Sequence, residues 1–216
     1  QFDIPLCENG YLDVMVDEKG NTKRIGVTRI HIEEDAGKLL HDESFAGSLV
    51  DFNRCGVPLI EIVSEPDMHS SAEAKAYLET IKSILQYIDI SDCKMQEGSM
   101  RCDVNLSLRP EGTEEFGTRT ETKNINSLSN IVKAMYKEIE RQEDILESGG
   151  HIVQATMRYD ANTDEIYPMR TKENSDDYRY FPDPDILRFT IPQEFVDETK
   201  ANLPELPHTK LKRYVE

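Results

Sequence analysis

The chain has 216 residues, with 42 Asp and Glu against 25 Lys and Arg and a formal net charge of −17. That balance excludes a nucleic-acid binder working by its own electrostatics, because such a module replaces phosphate counterions with a basic face. Hydrophobic residues at 38% without any Trp still suffice for a core. A domain of this size buries roughly 70% of its unfolded surface, so disorder throughout is excluded and one core, with or without an appendage, is expected.

There is no run of about 18 apolar residues, and Gln1-Phe2-Asp3-Ile4-Pro5 has neither the basic region nor the apolar core of a signal peptide. The chain therefore reads as cytoplasmic, and its start on Gln, in the approach to a strand, reads as that of a fragment. Cys7, Cys55, Cys93 and Cys102 match no zinc spacing and no dense disulfide framework. Reduced thiols in core or half-buried places are expected, without the partners of a nucleophile.

The first forty residues look extended, and Ile25 to Ile32 has the β-branched content of a strand that ends in the polar stretch Glu33 to Lys38. A second strand is expected at Val57 to Val63. Ser70 with Glu73 resembles a capping box, and Tyr77, Ile81, Ile84, Leu85 and Ile88 recur at helical spacing, which predicts a helix over 71–87. Cys93 to Gln96, the turn pair Glu97-Gly98 and Met100 to Leu108 read as a hairpin. Its second arm puts Met100, Cys102, Val104, Leu106 and Leu108 on one face and Arg101, Asp103, Asn105 and Ser107 on the other.

Gly117 to Asn126 is extended and polar on both faces, with Arg119, Glu121 and Lys123 sharing one. Ser127 opens a second helix through Ile131, Met135, Ile139 and Leu146, closed by Gly149-Gly150. Val153 to Tyr159 and Glu165 to Arg170, joined by Asp160-Ala161-Asn162-Thr163, read as a further hairpin. Asp176 to Ile186 holds two prolines and reads as an ordered loop whose Tyr178, Tyr180 and Phe181 either stack on a base or pin the loop to the core, the second being favoured. A helix from Pro192 to about Leu203 and a basic turn at Lys210 to Arg213 complete the chain. The division expected is one domain over 1–190 and a helical linker over 191–216.

Three polar clusters interrupt strand-like sequence: His31 to Lys38 with Glu33, Glu34 and Asp35; Glu97 with Arg101, Asp103 and Asn105; and Arg119, Glu121, Lys123, Asn124 and Asn126. Carboxylates gathered from separate strands repel unless a cation neutralises them, and hard oxygen ligands suit Mg²⁺. Arg and Lys beside them suit phosphate oxygens, so the clusters describe a metal-nucleotide site for phosphoryl transfer. A solvated sheet face is the competing reading. His31 is either a ligand or proton carrier or, more commonly for such a residue, a hydrogen-bonded structural histidine. No phosphate-binding Gly-rich loop is present, so any ATP is bound unconventionally.

Five runs together resemble one family. They are Thr28 to Lys38 (TRIHIEEDAGK), Asp51 to Asp67 (DFNRCGVPLIEIVSEPD), Glu97 to Asn105 (EGSMRCDVN), Thr120 to Ser127 (TETKNINS) and Asp176 to Asp185 (DDYRYFPDPD). The resemblance is to the B subunits of the aspartyl/glutamyl-tRNA amidotransferases, GatCAB. It implies an α+β fold, an antiparallel sheet cradle with helices, akin to glutamine synthetase and guanidino kinases. It also implies ATP- and Mg²⁺-dependent phosphorylation of the side-chain carboxylate of Glu-tRNA(Gln) or Asp-tRNA(Asn). Ammonia from the amidase partner of that complex then displaces phosphate, while a third, small chain braces the two larger ones.

On these matched positions Glu33 and Glu121 are the first metal-ligand candidates, with Asp103 and Glu34 second. Arg101, Lys123 and Asn124 are candidates for phosphate contacts, and Asn105 or Asn126 for substrate or water. The family's opening Gly-Leu-Glu-Ile-His strand, its zinc cysteines and its tRNA-holding tail have no counterpart in these residues. The resemblance thus implies an incomplete metal site, no zinc and little amidation by this chain alone. Two alternatives stand beside it: a free-standing ATP-dependent carboxylate ligase or kinase of the same fold, and a non-catalytic tRNA-binding scaffold.

Overall fold

In the computed structural model, which describes residues 4–17, 20–41, 47–169, 184–185, 187 and 189–215, the β-branched run Ile25 to Ile32 lies within one long strand. The chain separates into two units, Gln1–Met68 and His69–Glu216, a boundary that falls inside the stretch 1–190. Among the described residues no helix is long and apolar enough to cross a membrane.

The first unit contains β1 (Cys7–Met15), β2 (Thr22–Glu34), β3 (Lys38–His41), β4 (Ser48–Asp51) and β5 (Pro58–Ser64). An antiparallel sheet runs in the order β1-β2-β5, and β3 and β4 form a separate two-stranded ribbon. Among the described residues of this unit, Val14, Ile25 and Val27 are the buried apolar ones. A bulge between Val27 and Arg29 shifts the register against β5. Gly26 stands beside it because the chain passes so close to Glu65 that a Cβ would lie 2.5 Å from that residue's Cγ, while the Gly26 N–H donates to Asp67 Oδ2 at 2.8 Å. At the far end of β2, buried Asp35 accepts from Arg54 Nε at 2.8 Å, which ties the strand's exit to the loop before β5.

The second unit begins with α1 (Ser71–Tyr87), whose Glu73 N–H donates to the Ser70 hydroxyl at 3.2 Å. The Glu73 carboxylate reaches back to the His69 N–H at 2.6 Å, one residue beyond the reciprocal bond of a capping box. Asp89, in the left-handed region at φ 58°, ends the helix, with the Ile90 N–H donating to Leu85 O and the Asp89 N–H to Gln86 O.

After it come β6 (Cys102–Leu106), β7 (Thr120–Ile125), α2 (Leu128–Glu147), β8 (Thr156–Asp160), β9 (Glu165–Pro168), α3 (Gln193–Ala201) and α4 (Pro207–Val215). Ser127 caps α2 through the Asn130 N–H at 3.1 Å, and Gly149 at φ +80° ends it, its N–H donating to Leu146 O and that of Gly150 to Ile145 O.

Three expectations are corrected. The hairpin expected at 93–108 is absent: residues 88–101 form successive turns around Cys93 at φ 52° and Gly98 at φ +79°, and β6 pairs with β7 instead. The four-stranded sheet, in the order β6-β7-β8-β9, is mixed, because β7 and β8 are parallel; α2 is the crossover that a parallel pair requires. The basic turn near the end is part of a helix, α4, with Pro207 at its first position. The loop expected at Asp176 to Ile186, with Tyr178, Tyr180 and Phe181, lies outside the described residues except for Pro184 and Asp185.

Ile125, Ile131, Ala134 and Tyr159 form the core between the back of this sheet and α2, with Leu78 of α1 packed against it. The front of the sheet is left for polar side chains. Of the cysteines, Cys93 is buried and Cys102 half-buried, whereas Cys7 and Cys55 are exposed, against the expectation of shelter for all four.

Candidate functional site

The alternation of β6 survives in the structure: Cys102, Val104 and Leu106 are half-buried, whereas Asp103 and Asn105 are exposed. On β7, Thr120, Thr122 and Ile125 are buried, which turns Glu121 and Lys123 to the front. Register places Asn105 opposite Glu121. Between the pairs Val104↔Thr122 and Cys102↔Ile125, β7 advances three residues while β6 advances two, so Lys123 and Asn124 occupy a bulge. Bulges re-aim side chains, and here Lys123 Nζ sits 2.8 Å from Asp103 Oδ2 and 3.4 Å from Glu121 Oε1. Partial burial works against the charge on Lys123. The hydrogen bond and charge of Asp103, and then those of Glu121, outweigh it, so the ammonium is held to higher pH than an ordinary lysine.

The second and third sequence clusters thus meet on one sheet face. Asp103, Asn105, Glu121 and Lys123 come together there, and Arg101 stands exposed just before β6. Asn126 lies beyond β7 and accepts from Asn130 Nδ2 at 2.9 Å, steadying the start of α2. Glu97 is drawn off into a local pair with Lys94 at 3.1 Å. Burial pushes the Cys102 thiol up to about 12, with help from the Asp103 charge, so it stays protonated and unreactive.

The first cluster belongs to the first unit. Beyond the bulge in β2, Arg29, His31 and Glu33 share a face, opposite Val63, Glu61 and Leu59 of β5. Glu34 alternates to the other face, opposite Pro58. His31 is buried, directly across from Glu61, and among the described residues its Nδ1 has no hydrogen-bond partner.

Glu61 is the residue that sequence reasoning missed. Its carboxyl is held above the usual carboxylate range, first by loss of water around it and next by the charge and hydrogen bonding of Glu33. The available signal was an acid interrupting the apolar run Leu59 to Val63; its pairing with His31 depends on a register that only the fold reveals.

For magnesium the donor chemistry fits. Mg²⁺ usually takes one or two protein carboxylates and completes its shell with water and substrate phosphates. Asp103 with Glu121, and Glu33 with Glu61, are hard oxygen pairs of that kind. Among the described residues there is no group of three or more His, Cys, Asp and Glu placed to hold a metal ion.

The front of the four-stranded sheet therefore gathers two carboxylates and an amide around one ammonium, on a mixed α and β unit. Residues 1–197 match the model of the GatB/GatE catalytic domain. The chain belongs to this family. It is 58% identical over 215 residues to the B subunit of the aspartyl/glutamyl-tRNA(Asn/Gln) amidotransferase of Caldicellulosiruptor bescii, covering 100% of this chain and 44% of that protein. The corresponding proteins of Lysinibacillus sphaericus and Carboxydothermus hydrogenoformans are 56% identical over 216 residues and 55% over 219, with 45% of each covered. The chain thus spans less than half the length of these curated relatives.

Proposed function

We propose that the chain is the ATP-using part of a tRNA-dependent amidotransferase. It would act in the cytoplasm with the amidase and small subunits of a GatCAB complex on Glu-tRNA(Gln) or Asp-tRNA(Asn), in a fold akin to glutamine synthetase and guanidino kinases. The observation that carries this reading is the front-face constellation of Asp103, Lys123, Glu121 and Asn105, inside the stretch that matches the catalytic-domain family.

A carboxylate is a poor acyl donor because its oxygen is a poor leaving group, and phosphorylation corrects that. The substrate carboxylate oxygen attacks the γ-phosphorus of ATP and the bond to ADP breaks. Ammonia then attacks the acyl carbon, the bond to phosphate breaks, and a proton passes to the departing phosphate. Within the second unit Glu121 and Asp103 are assigned to Mg²⁺; within the first, Glu33 is the candidate ligand, and Glu34, on the opposite face of β2, is not grouped with it. Bound Mg²⁺ supplies charge neutralisation for the phosphates and the substrate carboxylate. Lys123 is assigned to the transferred phosphoryl group, which it can reach by leaving Asp103. Arg101 and Asn124 are assigned to the remaining phosphates, and Asn105 to orienting the substrate or a water.

The test follows the γ-phosphate of labelled ATP in the whole protein assembled with its amidase and small partners, without ammonia. Label is expected on the misacylated tRNA, convertible to amide when ammonia is added. Binding of ATP and tRNA without transfer would overturn the reading in favour of a scaffold. Transfer to a small carboxylate without tRNA would favour a free-standing ligase.

A further inference from the structure

The strand between β7 and β9 brings one more cation to the front face. Met157 and Tyr159 of β8 are buried at the back, so Arg158 between them faces forward, where it is exposed. Register sets it beside Lys123 on the parallel side and opposite Tyr167 on the antiparallel side. Arg158, Asp160, Tyr167, Pro168 and Met169 line a depression of about 390 Å³, within the range of small-molecule sites. The Tyr167 hydroxyl is held by Glu165 and by Thr163 Oγ1 at 3.2 Å, which fixes the ring as a wall of that depression. Lys123 is engaged with Asp103 and Glu121. Arg158, in contrast, has no ion-pair or hydrogen-bond partner among the described residues, in a chain of net charge −17.

From this placement we infer that Arg158 receives a phosphate group of a nucleotide unit, with the Tyr167 ring offering a face to the neighbouring base. The assignment deepens the amidotransferase reading and rests on it. A guanidinium grips two phosphate oxygens with a planar fork, and an aromatic wall stacks on any base. The same chemistry is presented by ATP and by the acceptor end of an RNA, and the depression adjoins the site assigned to phosphoryl transfer through the Lys123 register pair.

The experiment compares wild type, Arg158→Ala and Arg158→Lys in the whole protein assembled with its partner chains. It measures dissociation constants for a non-hydrolysable ATP analogue with Mg²⁺ and for uncharged tRNA across a salt series. Arg158→Ala should weaken one of the two at least tenfold, and Arg158→Lys should fall between it and wild type because it keeps charge without the fork. Loss on the ATP arm alone assigns the nucleotide. Loss on the tRNA arm, with a salt slope shallower by about 0.7 to 0.9, assigns the RNA backbone. Unchanged affinity on both arms, when wild type binds both, overturns the Arg158 assignment and leaves the amidotransferase reading intact. If wild type binds neither probe, both readings are overturned. Because Arg158 is exposed and has no partner among the described residues, thermal melting of the variants should match wild type.

Discussion

The two faces of β7 carry charge to opposite ends. At its back, Glu138 of α2 is fully buried, yet its carboxylate accepts from Thr120 Oγ1 at 2.6 Å, Arg141 Nε at 2.8 Å, Arg141 Nη2 at 2.7 Å and Gln142 Nε2 at 2.8 Å. Gln142 in turn accepts from the Leu108 N–H at 3.2 Å and donates to Thr120 Oγ1 at 3.0 Å. At its front, one residue along from Thr120, half-buried Glu121 shares a single ammonium with Asp103. A buried carboxylate that is saturated with donors has nothing left to offer a ligand and serves to fix strand against helix. An exposed carboxylate short of donors can take a cation or a substrate at little structural cost.

The largest expected effect breaks the back face. Glu138→Ala leaves Arg141 without its carboxylate and removes an acceptor from Thr120 and Gln142, and should destabilise the second unit by about 3–5 kcal/mol in urea unfolding. Glu138→Gln, which keeps the shape, should cost about 1–3 kcal/mol. Burial raises the Glu138 pKa, but the bonds from Arg141, Thr120 and Gln142 outweigh it and hold the carboxyl below its ordinary value. The stability it contributes is present above the unfolded carboxylate pKa and lost as pH falls through the lower folded value. Acid titration of wild type should show that loss, and Glu138→Gln should not.

Next in size is the cap: Ser127→Ala removes the acceptor of the Asn130 N–H and should cost about 1 kcal/mol. Lys123→Met sharpens the front-face half of the comparison. Removing the shared ammonium leaves Asp103 and Glu121 uncompensated, so stability should move by less than about 1 kcal/mol while Mg²⁺ affinity, measured by calorimetry, rises. The smallest effect concerns the first unit. Because the Glu61 pKa is raised, its contribution favours folding below the ordinary carboxylate pKa and is lost as pH rises through the folded value. Glu61→Gln should therefore melt slightly higher than wild type at neutral pH and match it in acid.

The comparison also marks how far sequence patterns reach. Both long helices are legible because their signals are local: Ser70 and Ser127 lie next to the turns they cap, and Gly149 follows the last residues of α2. The front face of β6 is legible from period-two alternation, and β8 with β9 from the turn residues between them. What local signals do not carry is which strands pair. The Gly98 turn is real, but the residues before it are not a strand, Cys93 lying in the left-handed region, and the strand after it pairs with β7. The bulge that aims Lys123 between two carboxylates, the parallel partnership that sets Arg158 beside it, and the pairing of Glu61 with His31 all arise from register, which is non-local. Saturation of Glu138 is likewise invisible in sequence, where it reads as one more acid on an amphipathic helix.

The most direct test of the front face as a phosphoryl-transfer centre is the rate of γ-phosphate transfer from ATP to misacylated tRNA by wild type and Glu121→Gln in the assembled whole protein. The substitution keeps size and removes one ligand charge. The account predicts that transfer falls at least a hundredfold while the melting temperature and complex assembly stay at wild-type values. Transfer at the wild-type rate would contradict it and return Glu121 to a solvated strand face.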